Sequence, residues 1–115
     1  MSEETIFDKL IKKEISADIV YEDDIAIAFR DINPQAPVHV LVIPKRKVTG
    51  FDKLGELEEE EAGKYFQTIS KVAESLGLNQ DGYRIVFNSG RNGQQTVNYI
   101  HAHIIGGRQM KWPPG

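Results

Sequence analysis

The spacing of apolar positions changes several times along this chain, and each change marks an element. In Thr5-Ile-Phe-Asp-Lys-Leu-Ile-Lys-Lys-Glu14, Ile6, Phe7, Leu10 and Ile11 recur at i, i+1, i+4, i+5. That is the stripe of a short amphipathic helix, and its apolar face must dock on something. Ile19-Val-Tyr-Glu22 and Ile25-Ala-Ile-Ala-Phe-Arg30 are rich in β-branched and aromatic side chains and are separated by Asp23-Asp24. They predict two antiparallel strands joined by a tight hairpin. Asp31-Ile-Asn-Pro-Gln-Ala-Pro37 is a stiff loop, because Pro34 and Pro37 remove backbone donors and push their predecessors out of helical geometry. Val38-His-Val-Leu-Val-Ile-Pro44 is almost continuously apolar and reads as a central strand. Alternation puts His39, Leu41 and Ile43 on one face of it and Val38, Val40 and Val42 on the other.

The longest helix is expected from Glu56 to Leu76, where Ala62, Phe66, Ile69, Val72, Ala73 and Leu76 keep the 3.6-residue period. Glu58 to Glu61 then lie near the positive end of its dipole, and Gly77 supplies the stop. Tyr83-Arg-Ile-Val-Phe-Asn88 and Val97-Asn-Tyr-Ile-His-Ala-His-Ile-Ile105 predict two more strands, joined by the Gly- and Asn-rich loop Ser89–Gln95. The expected fold is therefore α+β, a five-stranded antiparallel sheet with two helices, in a single domain over residues 1–115. Neither an internal repeat nor a low-complexity segment interrupts it.

Composition narrows the chemistry. With 40% hydrophobic and 27% charged residues the chain has the balance of a water-soluble globular protein, which argues against disorder and fibrous classes. It has no cysteine, so disulfides, thiolate metal sites and a cysteine nucleophile are excluded. No apolar run reaches the roughly 18–20 residues of a spanning helix, and the acidic start lacks the features of a signal peptide, so a cytoplasmic protein without a membrane partner is expected. A net charge of −3 offers no general attraction for a nucleic acid polymer. Any phosphate must be held by local donors, which favours a small nucleotide.

Histidine is then the side chain to follow, and two of the three stand together in Tyr99-Ile-His-Ala-His-Ile-Ile-Gly-Gly107. On a strand Tyr99, His101, His103 and Ile105 would share a face, with Ile100, Ala102 and Ile104 packed behind them toward a helix. Two imidazoles so close resist double protonation, so the expected state is one neutral ring and one cationic ring, a nucleophile beside an acid. The same spacing serves two metal ligands, and His39 on a neighbouring strand would complete a three-histidine zinc site. A third reading is polar decoration of a solvated face. Spacing alone leaves all three open.

The surrounding text is more specific. Gln95-Thr-Val97 followed by His101-Ala-His-Ile-Ile-Gly-Gly107, with Asp31-Ile-Asn-Pro-Gln-Ala-Pro-Val-His39, Val42-Ile-Pro-Lys45, Gly82-Tyr-Arg-Ile-Val-Phe-Asn88 and Arg108-Gln-Met-Lys-Trp-Pro-Pro-Gly115, resembles the histidine-triad superfamily. The likeness is nearest to its HINT branch of nucleotide-binding phosphoramidases and spans nearly the whole chain. It implies a homodimer whose sheets run together, and a hydrolase of purine nucleoside phosphoramidates that needs no cofactor. By the same resemblance His101 is the nucleophile that takes the nucleotidyl group, His103 contacts the phosphate or leaving-group region, and His39 supports them. Asp31 binds the ribose hydroxyls, Ile32 and Phe7 line the base pocket, and Asn88, Gln95 and Thr96 surround the phosphate and leaving group. The Trp112-Pro-Pro-Gly115 tail is implied to pack near the partner subunit's site. Tyr99 stands where the family motif usually begins with histidine, and its phenol, neutral near pH 7, keeps a hydrogen bond but not the imidazole. Against these stand a non-catalytic nucleotide-binding scaffold, a dinucleoside polyphosphate hydrolase and a metal-binding protein.

Overall fold

The computed structural model describes residues 3–115. Helix α1 (Ile6–Ile11) starts at a reciprocal cap: the Thr5 hydroxyl accepts from the Phe7 and Asp8 N–H groups while the Asp8 carboxylate accepts from the Thr5 N–H. Strand β1 (Ile19–Glu22) turns into β2 (Ala26–Arg30) through Asp23, whose carboxylate accepts from the N–H groups of Ile25 and Ala26. The acidic pair thus makes the hairpin through a side-chain oxygen rather than through chain flexibility. Strand β3 (Val38–Pro44) follows, and after a 3₁₀ turn at Phe51–Glu56 comes helix α2 (Glu59–Ser75). Strands β4 (Tyr83–Val86) and β5 (Ala102–Gly106) complete a five-stranded sheet in the order β1-β2-β3-β5-β4, antiparallel throughout.

Register decides what each face carries. Residues paired across antiparallel strands point the same way, and Phe29 pairs Leu41, His39 pairs Ile105 and Leu41 pairs His103. That face meets α1. The opposite face holds Ala26, Ala28, Val40, Val42, Ala102 and Ile104, all without exposed surface, and meets α2. Three alanines on it keep the sheet surface low, so the helix packs closely, and the buried Tyr65 hydroxyl donates to the Val42 carbonyl at 2.7 Å. Helix α2 ends in a Schellman motif: the Leu78 N–H reaches Ala73 O, the Gly77 N–H reaches Glu74 O, and Gly77 takes φ +77°.

Four expectations need correction. The long helix does not begin at Glu56: Leu57 is buried in an extended conformation that breaks the path between the 3₁₀ turn and α2. Within α2, Phe66 is exposed and its neighbour Tyr65 takes the core position, because the phenol has a carbonyl to satisfy it there. The last strand is shorter than Val97–Ile105. The Tyr99 N–H turns back to Val97 O and the Ile100 N–H donates to Val48 O, so the chain reaches β3 only at Ala102. Strand β4 likewise ends at Val86, short of Asn88. No helix among the described residues is long and apolar enough to cross a membrane.

Candidate active site

Helix α1 covers only part of its face of the sheet, and a cavity of about 690 Å³ remains beside it. Its wall includes Phe7, Asp31, Ile32, Thr96, His101 and His103, six positions named from sequence. Phe7 is a core residue as well as a wall, its ring edge-on to His101 at 5.1 Å and to Phe29 at 5.5 Å. Ile32 is 97% exposed, an aliphatic side chain at the rim with nothing else to cover. Leu41 and Leu10, not singled out from sequence, complete the apolar floor. The amphipathic stripe of α1 was the signal for Leu10.

His101 lies just ahead of β5, where the irregular stretch from Val97 turns its ring inward. The Nδ1–H donates to the Tyr99 carbonyl at 2.7 Å. That bond puts the proton on Nδ1 and leaves the Nε2 lone pair unshared. His39 and His103 are joined on the sheet itself, with His39 Nε2 at 2.9 Å from His103 Nδ1. The direction of this bond follows from a third group. The backbone N–H of Gln35, which can only donate, reaches His39 Nδ1 at 3.0 Å. His39 therefore carries its proton on Nε2, 3.5 Å from the Asp31 carboxylate, and donates to His103. His103 then holds its own proton on Nε2, a buried atom with no hydrogen-bond partner among the described residues. The two rings, with centroids 5.0 Å apart, present a lone pair from His101 and an N–H from His103.

This overturns the expectation of one cationic ring. Burial pushes the His101 imidazole below its ordinary 6.5, against the Tyr99 carbonyl and Asp31, which favour the proton. Burial, with the His101 and His39 rings beside it, takes His103 down to about 4. Both rings are neutral at pH 7, and desolvation dominates each because water that would solvate an imidazolium is excluded.

The remaining named residues lie elsewhere. Tyr99 is behind the cavity, 1% exposed, its hydroxyl donating to the Pro44 carbonyl, and its carbonyl rather than its phenol touches the site. Gln95 has its amide spent on the loop: it donates to Thr49 O and Val97 O and accepts from the Gly90 N–H. It lies off the cavity wall, as does Asn88. Among the described residues the ligand atoms that converge, within 4.8 Å of one another, are those of Asp31, His39 and His103, and His101 is not in that group.

The HIT-domain family profile matches residues 12–110. The chain belongs to the HIT family. A 14 kDa zinc-binding protein of Zea mays is 55% identical over 113 residues, covering 96% of this chain and 88% of the relative. A purine nucleoside phosphoramidase of Escherichia coli K12 is 46% identical over 110 residues, 96% of this chain and 92% of the relative. Among solved structures, a HIT family hydrolase from Legionella pneumophila superposes with a TM-score of 0.92 at 43% identity, over 97% of this chain and all of the other. The antiparallel sheet and the order of motifs expected from sequence are those of this family.

Proposed function

We propose that this HIT hydrolase cleaves purine nucleoside phosphoramidates through a covalent nucleotidyl-histidine at His101. The observation that carries the reading is the His101 Nδ1–H bond to the Tyr99 carbonyl, which leaves Nε2 as a neutral nucleophile on a cavity wall of nucleotide size. The phosphoramidase activity named for the Escherichia coli relative supports the choice of substrate. The base lies against Phe7 and Ile32, the ribose hydroxyls against Asp31, and the phosphate beside Thr96 and the His103 N–H.

In the first step the Nε2 lone pair of His101 forms a bond to the α-phosphorus. The P–N bond to the amine breaks, its electron pair goes to nitrogen, and water supplies the proton, since neither imidazole is charged beforehand. Positive charge that develops on His101 is stabilised by the Tyr99 carbonyl, and negative charge on the phosphoryl oxygen by the His103 Nε2–H. In the second step water attacks phosphorus and gives its proton to the hydroxide left by the first step, the electron pair of the bond to phosphorus returns to His101 Nε2, and nucleoside monophosphate leaves. Mixing the protein with adenosine phosphoramidate, quenching within one turnover and sequencing the labelled peptide by mass spectrometry tests this. The adduct is expected on His101, and turnover with no adduct on any histidine would overturn it.

The zinc named for the maize relative does not fit the converging trio here. A metal on His39 Nε2 would need a proton on Nδ1, which already faces the Gln35 N–H, so two donors would collide. A homodimer is supported by the outer edge of β4, which has no strand beside it among the described residues, next to exposed Phe66 and Ile85 and the Phe66–Phe87 ring stack at 5.6 Å. Phe66→Glu should give a monomer by light scattering.

A further inference from the structure

His103 can offer its Nε2 proton to a phosphate only while His39 keeps its own on Nε2, so whatever fixes His39 governs the donor two residues beyond the nucleophile. The fixing group is the backbone N–H of Gln35, at 3.0 Å from His39 Nδ1. Gln35 sits in an exposed loop, where an N–H keeps its direction only if the residue that carries it is held. It is held by Arg108, whose Nε–H donates to the Gln35 carbonyl at 3.2 Å. Arg108 follows directly on the end of β5 through Gly107, which takes φ +88° and passes so close to the loop that a Cβ there would lie 2.9 Å from Pro37 Cβ. The turn that carries Arg108 is therefore pressed against the loop that carries Gln35. From the other end the same loop is tied down by the Asp31 N–H on His39 O and the Asn33 N–H on the Asp31 carboxylate.

We infer that Arg108 is a positioning residue: by anchoring Gln35 through its carbonyl it keeps that residue's N–H on His39, which sets the tautomer of His39 and through it that of His103, without touching the substrate. The chain runs from the Arg108 guanidinium to Gln35 O, from Gln35 N–H to His39 Nδ1, and from His39 Nε2–H to His103 Nδ1. Each link passes one donor to one acceptor, so reversing any of them leaves two donors or two acceptors face to face. Releasing Gln35 lets its N–H leave His39 Nδ1 and weakens the preference for a proton on His39 Nε2. The pair then shares its protons both ways, and His103 spends part of its time with a bare Nε2 toward the cavity.

The inference rests on the proposed role of His103 at the phosphate, and its test is chosen to separate the two. Ring nitrogens of His39 and His103 are followed by long-range proton–nitrogen NMR on unliganded protein, in wild type, Arg108→Ala and Arg108→Lys, alongside kcat, KM and Tm. Wild type should show an unprotonated Nδ1 and protonated Nε2 on both rings. Arg108→Ala should show mixed tautomers on both and lose three- to tenfold in kcat with KM within twofold, and Arg108→Lys should restore most of each. Unchanged tautomers in Arg108→Ala overturn the inference, even if Tm falls, because a merely structural arginine would lower Tm and leave the ring nitrogens alone. Mixed tautomers with unchanged kcat would instead overturn the phosphate-side role of His103 and leave the positioning chain intact.

Discussion

The two faces of the sheet are made by the same strands and could hardly differ more. Toward α2, strands β2, β3 and β5 present Ala28, Val40, Val42, Ala102 and Ile104, and a helix of 17 residues seals them so that none keeps exposed surface. Toward α1 the alternate residues are Phe29, His39, Leu41 and His103, and a helix of six residues is too short to cover them. The uncovered part is the cavity. The contrast teaches that the site is a packing deficit placed opposite a packing surplus: one face supplies the stability, and the other can leave room for a ligand. It also explains the imidazoles' low proton affinity, since they line a cavity whose floor is core.

The comparison breaks hardest at His101. His101→Ala should lower single-turnover cleavage of adenosine phosphoramidate by at least about 10⁴-fold, because the lone pair aimed at phosphorus is that of His101 Nε2, while the proton on His103 Nε2 makes it a donor. Its Tm should move less than that of Ile104→Ala. The opposite face should give the opposite result: Ile104→Ala opens a cavity in a sealed core and should cost about 2–5 kcal/mol in urea unfolding, with kcat of the folded protein nearly unchanged. Leu41→Ala, cut from the floor of a space already there, should cost less stability than Ile104→Ala but raise KM for the nucleotide. Equal losses of stability at Ile104 and Leu41 would show that the two faces are not packed differently.

Protonation sharpens the same contrast. His101 must be neutral to attack, and its proton affinity is held below the ordinary 6.5 by burial, so the acid limb of kcat/KM should fall below pH 6.5. Stability follows from the same depression. The unfolded chain takes up protons at 6.5 where the folded one does not, so folding is weakened as pH falls from 6.5 toward the folded value of His103, about 4. A Tm that is flat across that window, or an acid limb at 6.5 or above, would mean the rings are better solvated than their burial implies.

How much of this was legible beforehand follows from the distance over which each signal acts. The elements were readable where a period was long and uninterrupted, as in β3, or where a local device closed them, as with Gly77 after α2. Ala102 and Ile104 as the buried backing of His103 needed only alternation. Three things resisted. Leu57 breaks a helical run because of a core socket far away in sequence, Tyr65 displaces Phe66 because a carbonyl of β3 waits for its hydroxyl, and residues 97–101 leave the sheet because Val48 offers their backbone a partner. The charge state of the histidine pair was misjudged for the same reason. Repulsion between the rings is visible in His-x-His spacing, whereas the loss of water around them is not, and here desolvation is the larger effect. Gln35 was invisible as a functional position because its contribution is a backbone N–H, which every non-proline residue has.

The smallest expected effect concerns the tyrosine at the start of the motif. Tyr99 touches the site through its carbonyl, and its phenol points the other way, into the core, to the Pro44 carbonyl at the end of β3. Burial pushes that phenol's proton affinity up, so it neither ionises nor supplies a proton in the working range. Tyr99→Phe keeps the ring against Phe7 and keeps the carbonyl that orients His101, but leaves a buried acceptor without its donor. The cost should be about 1 kcal/mol of stability, with cleavage within about threefold of wild type. A loss as complete as that of His101→Ala would move Tyr99 from the packing beside α1 into the chemistry, and the α1 face would then owe its activity to a phenol as well as to its imidazoles.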